Sequence, residues 1–173
     1  FVIGNKRVIE AMGAESLPGV STGHFNAIVG KDGWGHVRSG FVVGRTQPGA
    51  NEPERIAEAL TGDVIAPIGS SYLRGDGERL IRRDGEIIRV LCEVDLHPHP
   101  IAERVRRRIA DAEVYQAVHR ARLVTRTAAD PVIVYVLTNV ALPIPIDGEI
   151  DADAILYPSP RERMLAEGAV AFE

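Results

Sequence analysis

A single cysteine, Cys92, excludes an internal disulfide and any metal site built from several thiolates. No apolar run approaches the ~18 residues that a bilayer-spanning helix needs. No signal peptide opens the chain, because the apolar Phe1-Val2-Ile3 is followed at once by Gly4-Asn5-Lys6. These absences point to a cytoplasmic protein without a membrane partner. Aromatic residues make up only 5%, too few for an extended base-stacking platform. Lys6 and Lys31 are the only lysines, so arginine carries nearly all the positive charge. A GC-rich coding sequence accounts for most of that bias. The net charge is −4, so no global basic field draws in nucleic acid. The sequence contains no Gly-x-x-x-x-Gly-Lys-Ser/Thr, no Asp-Glu-x-His or Asp-Glu-x-Asp box and no Gly-x-Ser-x-Gly elbow. By itself it cannot be a complete P-loop ATPase, and no nucleophile elbow or cysteine–histidine pair suggests covalent catalysis.

What is present is one domain's worth of core. The 173 residues are 45% hydrophobic and 25% charged, as in an ordinary globular protein. Phe1–Gly4 reads as a buried strand. Asn5 can cap a helix with Val8, Ile9 and Met12 along one side, and Gly13 can stop it. Val20–Phe25 is a short strand. Ala27–Arg38 holds Gly30, Gly33 and Gly35 and reads as a loop. Gly40–Gly44 has the compact apolar character of a strand buried on both faces. Pro53–Leu60 reads as a short helix. Arg79–Arg82 and Glu86–Cys92 flank Asp84-Gly85, a hairpin signal, and are expected as an insertion on the main sheet at about 70–95. Ile101, Val105, Ile109 and Ala112 give a long helix an apolar face. Val132–Leu137 closes the sheet. The prolines of Leu142-Pro143-Ile144-Pro145-Ile146 demand an extended crossing segment. A tail from residue 147 carries a short helix at Pro160–Glu167. Strands alternating with helices predict an α/β class with a mainly parallel sheet. The chain opens without methionine, directly in a strand, and is expected to be a domain cut from a longer protein.

Three segments carry the chemistry. The first is Val2-Ile3-Gly4-Asn5-Lys6-Arg7, a strand ending in a polar turn. The second is Gly23-His24-Phe25-Asn26-Ala27-Ile28-Val29-Gly30-Lys31-Asp32. The third is Gln116-Ala117-Val118-His119-Arg120-Ala121-Arg122, a helix followed by a strand. In this order they resemble motifs IV, V and VI of the second RecA-like lobe of superfamily 1 and 2 helicases, over residues 1–146. The resemblance implies a RecA-like fold with a hairpin insertion and ATP with Mg²⁺ shared with a first lobe. It implies Arg120 or Arg122 as arginine finger, Gln116 as a nucleotide or interlobe contact, and Gly30 and Asp32 in the coupling loop. DNA or RNA would be the polymer, touched by Asn5, Lys6, His24 and Arg45 in loops at the ends of parallel strands. A planar guanidinium can meet two phosphate oxygens at once, which is what phosphoryl transfer demands. The sequence departs from the superfamily 2 pattern, with His119 in place of a glycine and Leu123 in place of the second arginine. Val-His-Arg-Ala-Arg is also similar to the Thr-Arg-Ala-Arg of superfamily 1, so the choice of finger stays open.

Other readings stand beside this one. An arginine-rich amphipathic helix on the surface has the same composition. The glycine loop could be an ordinary connection, or an anion site in a small-molecule enzyme. Trp34 could stack on a base or pack over an edge. His97 and His99, with Asp95 and Glu93, invite a metal, but the prolines at 98 and 100 suggest a rigid linker and no metal is expected. Cys92 is expected as a buried core thiol. The alternative function is a non-catalytic α/β interaction domain of a replication-type protein.

Overall fold

The computed structural model describes residues 1–31, 33–153, 157 and 159–166. In chain order the elements are β1 (Val2–Gly4), α1 (Lys6–Ala11), β2 (Thr22–His24), β3 (Ser39–Val43), α2 (Asn51–Thr61), β4 (Leu73–Arg83), β5 (Glu86–Leu96), α3 (Pro100–His119), β6 (Ile133–Leu137) and α4 (Pro160–Ala166). Short 3₁₀ turns lie at Ala14–Ser16 and Leu123–Thr125. β2, β1, β3 and β6 form, in that order, a four-stranded parallel sheet, and β4 and β5 pair antiparallel as a separate ribbon. The class is α/β, with helices flanking the parallel sheet.

Alternation along β1 builds both layers, since successive side chains point to opposite faces. Val2 joins Ile9 and Ala14 in the smaller cluster under α1. Ile3 joins Val42, Phe25, Ile28, Trp34, Val114, Ala117 and Val118 in the main core under α3. Gly4 ends β1 where β3 crowds it. A methyl group there would lie 2.8 Å from the Val43 carbonyl oxygen and 3.3 Å from Ile9 Cδ1. Backbone cannot yield cheaply, so Gly4→Ala is expected to cost about 1–3 kcal/mol in urea unfolding. A neutral result would show that β1 and β3 are less tightly apposed.

Several expectations need correction. The hairpin is not part of the main sheet. It runs over the full length of β4 and β5, turning at Asp84 (φ 53°) and Gly85 (φ 85°), and bridges Ile146 of the proline-rich segment through Ile81. The turn residues supply the two positive φ angles of a tight hairpin. Cys92, on a ribbon with only one partner strand, is half-buried rather than a core thiol. β3 is not buried on both faces: Phe41 is 40% exposed and stacks on Tyr135 at 5.0 Å. Asn5 precedes α1 but makes no side-chain cap, because its amide donates to the Arg45 carbonyl at 3.1 Å. The buried face of α3 is Ala102, Arg106, Ala110, Val114, Ala117 and Val118, one position round from Ile101, Val105, Ile109 and Ala112. The alanines let the helix come close to its neighbours, while the larger side chains fill the flanks. Among the described residues, no helix is long and apolar enough to cross a membrane.

Candidate functional site

The connection from β2 to β3 carries the glycine loop, and its path decides what that loop can do. A helix that feeds a parallel strand runs antiparallel to the sheet, and α3 does so. The loop runs beside it. The Asn26 amide donates to Glu113 Oε2 at 3.0 Å. Arg120 Nη1 donates to the Lys31 carbonyl at 2.9 Å, and Arg126 Nη2 to the Val37 carbonyl at 2.7 Å. Gly30 is exposed at φ 77°, a conformation glycine adopts without strain. Gly35 faces the Arg122 side chain, so close that a Cβ there would lie 3.0 Å from Arg122 Cδ. Asp32 lies outside the described residues.

The helix ends in a way that brings both arginines to one place. α3 stops at His119, Arg120 forms its C-cap, and Arg122 turns into the left-handed region at φ 53°. Both side chains therefore meet the same loop, which a continued helix would have prevented. Gln116 is exposed one turn before. Arg120 is half-buried and makes no ion pair among the described residues, and its Nε is buried without a hydrogen-bond partner. Among the described residues its charge is anchored by a backbone carbonyl and by no carboxylate. The His119 ring lies tilted against Tyr115, centroids 4.2 Å apart, and its Nε2 is buried without a hydrogen-bond partner among the described residues. Trp34 belongs to the core: it is 5% exposed, lies 5.7 Å from Phe1 and would clash with any side chain at Gly23. The base-stacking reading of Trp34 is thereby corrected.

The second predicted group sits elsewhere. Asn5, Lys6, His24 and Arg45 follow the carboxyl ends of β1, β2 and β3. Arg126 and its Val37 partner lie by the amino ends of β3 and β6, where Ile133 donates to the Arg38 carbonyl at 3.0 Å. Arg120 and Arg122, in the stretch that leads to β6, thus lie toward the opposite end of the sheet from Asn5, Lys6, His24 and Arg45. Lys6 is exposed beside Glu10 at 3.8 Å, and His24 Nε2 is 3.6 Å from Glu15. Arg45 is largely buried and bound to Asp95 of β5, which Arg74 also reaches at 3.3 Å. That pairing latches the hairpin base to the sheet.

Sequence reasoning missed a buried polar cluster between α2, the hairpin base and α3. His97 Nδ1 accepts from the His99 amide at 3.1 Å, so its proton is on Nε2, which points at Glu54 Oε1 3.2 Å away. Glu103 accepts the His97 amide at 2.8 Å and grips Arg106 at 2.8 and 2.9 Å. Burial opposes the Arg106 charge most strongly, but Glu103, by hydrogen bond and by charge, together with the charge of Asp111 outweighs it and raises the guanidinium above its usual range. Asp111 is 3.7 Å from Arg106 and 3.1 Å from Arg107. Its desolvation outweighs both arginines, and its carboxyl is raised above the ordinary aspartate range. Each partner's balance follows its distances: Arg106 is held tightly by Glu103 and only loosely by Asp111. Glu103, Arg106, Arg107 and Asp111, with Arg45, Asp95 and Asn139, line a cavity of about 280 Å³. The sequence hint was Glu103 at three residues before Arg106 on one helix.

A raised carboxyl fixes the sign of a pH effect. The folded state holds the Asp111 proton more tightly than the unfolded state does. Stability is therefore lost as pH rises from the unfolded aspartate range through the raised folded pKa. Asp111→Asn is expected to flatten that part of the profile in urea melts taken from acid to neutral pH. An unchanged slope would place the cause elsewhere.

Among the described residues no group of three or more His, Cys, Asp and Glu converges as a metal set. No protein-family model matches this chain, and no curated protein or solved structure is significantly similar to it.

Proposed function

We propose that this chain is the second RecA-like lobe of a nucleic-acid-dependent ATPase, a helicase-type motor, acting with a first lobe that carries the nucleotide-gripping loop. The observation that carries the reading is Arg120. A half-buried guanidinium with no carboxylate partner among the described residues is costly to keep unless an anion arrives to meet it. It is held to the glycine loop by a residue 89 positions away, so the fold positions the charge. Arg122 meets the same loop at Gly35. Bound between the lobes, ATP with Mg²⁺ would supply the phosphoryl group. On this chain Arg120 and Arg122 would face the charge that develops on the transferred phosphoryl oxygens, and Gln116 would contact the nucleotide or the other lobe. The Gly30 segment would couple that site to DNA or RNA, with Asn5, Lys6 and His24 touching the polymer at the other end of the sheet, while Arg45 is engaged by Asp95. The test is nucleic-acid-stimulated phosphate release by the full-length protein and by its arginine variants.

The non-catalytic interaction domain has its own support. On the outer side of α2, Leu60 is 71% exposed and Val64, just beyond the helix, 94% exposed. Full turnover in the arginine variants would favour it.

A further inference from the structure

The outer face of α3 offers a second surface, away from both ends of the sheet. Arg104, Arg108, Tyr115 and His119 are spaced by four, seven and four residues and share one helix face over roughly 22 Å. Arg104, Arg107 and Arg108, with Tyr115 and Pro143, line an open groove of about 400 Å³ between α3 and the proline-rich crossing segment. The groove is cationic. Arg104 and Arg108 are exposed and have no ion-pair partner among the described residues. Among the described residues Asp111 is the only lining acid, and its oxygens already face Arg107 at 3.1 Å and Arg106 at 3.7 Å. Beside the cations lie partly apolar surfaces, the Tyr115 ring and the Pro143 ring.

We infer that this groove is a docking track for single-stranded nucleic acid. Phosphates would meet Arg104, Arg107 and Arg108, and a base would stack on Tyr115. Charge complementarity selects a polyanion. The ring platform separates a nucleic acid from an acidic peptide, since guanidinium groups alone would serve the peptide. A duplex hides its base faces, so the strand is single. The inference goes beyond the ATPase reading and stands without it, because no groove residue is an arginine-finger candidate. Loss of oligonucleotide binding in the groove variants reports on the groove, and ATP turnover reports on Arg120 and Arg122.

The experiment is fluorescence anisotropy of the whole chain with a labelled oligothymidylate of about 20 nucleotides, at several salt concentrations. Wild type is expected to bind at low salt. Arg104→Glu with Arg108→Glu should weaken binding at least about tenfold and lower the salt slope by about one for each phosphate left unmet. Tyr115→Ala should weaken it about tenfold with the salt slope unchanged. Arg55→Glu with Arg83→Glu changes net charge equally outside the groove and should bind as wild type. Should the reversed pair fail to fold by circular dichroism, Arg104→Gln with Arg108→Gln makes the same test. Absent binding, groove variants that bind like wild type, or an equal loss in the Arg55/Arg83 control would overturn the inference. Displacement by polyglutamate as effective as by unlabelled oligonucleotide would overturn it too, in favour of an acidic protein partner.

Discussion

Arg120→Ala in the full-length protein is expected to lower ATP turnover by about 10³-fold or more without unfolding it. The size follows from what the side chain would do. A guanidinium fixed beside the transferred phosphoryl group meets charge that exists mainly in the transition state, so its loss falls on kcat more than on KM. The tolerance of the fold follows from what Arg120 does now. Its hydrogen bond to protein is to the Lys31 carbonyl, on an exposed part of the loop that water can satisfy. Arg122→Ala is expected to act in the same direction and less strongly. Arg122 is exposed and sits past the helix end at a positive φ, so its position is less firmly set by the helix than that of the half-buried Arg120. Arg120→Lys distinguishes charge from geometry: lysine keeps the charge but loses the planar fork, and recovers little. The measurement is steady-state phosphate release at saturating nucleic acid, with thermal melts as the fold control. Normal turnover in both alanine variants would end the motor reading.

How far these features can be read from the sequence depends on the range of the interactions behind them. The alternation of strands and helices is local, and β1, β2, β3 and β6 lie where short apolar runs mark them. Asp84-Gly85 specifies its turn through the backbone freedom of two residues, so the hairpin is legible as well. Its placement beside the main sheet is not, since the Arg45–Asp95 pair that latches its base there spans 50 residues. The buried face of α3 differs from the expected one because Ile101, Val105 and Ile109 outweigh small neighbours on any hydrophobicity count. Ala102, Ala110 and Ala117 are buried because they let the helix approach, a property of the partner surface rather than of the residue. Arg106 is the sharper case. A buried arginine is legible only through its partners, and of these Glu103 is close in sequence while Tyr72, 5.8 Å from the guanidinium, is not. For the candidate site, the arginines and the glycine loop are visible as residue types. Their meeting depends on a loop that runs beside the C-terminal part of a helix about 90 residues later, which no window of sequence contains.

The largest stability effect is expected at Glu54. This carboxyl is buried, with its side chain 7% exposed. Its Oε1 accepts the Ile68 amide at 2.7 Å and faces His97 Nε2 at 3.2 Å, and the His97 side chain is wholly buried. One oxygen thus ties α2 to the segment after it and to the end of β5. Glu54→Ala removes the acceptor for two donors that water cannot easily reach and leaves a cavity under the imidazole. Each unsatisfied donor costs about 1–3 kcal/mol, so a loss of about 3 kcal/mol or more is expected in urea unfolding. Glu54→Gln preserves an oxygen at the same place and should recover most of it. His97→Ala leaves the carboxyl buried without its ring partner and the His99 amide without its acceptor, and should cost about as much as Glu54→Ala. Because the residues share one hydrogen bond, the double alanine variant should lose clearly less than the two single losses together. A Glu54→Ala variant within about 0.5 kcal/mol of wild type would place it among ordinary surface substitutions. The ion-paired hairpin base would then rest on Arg45 and Asp95 instead. Full loss in Glu54→Ala with recovery in Glu54→Gln would instead identify the Glu54–His97 pair as the staple that fixes the hairpin base against α2 and α3.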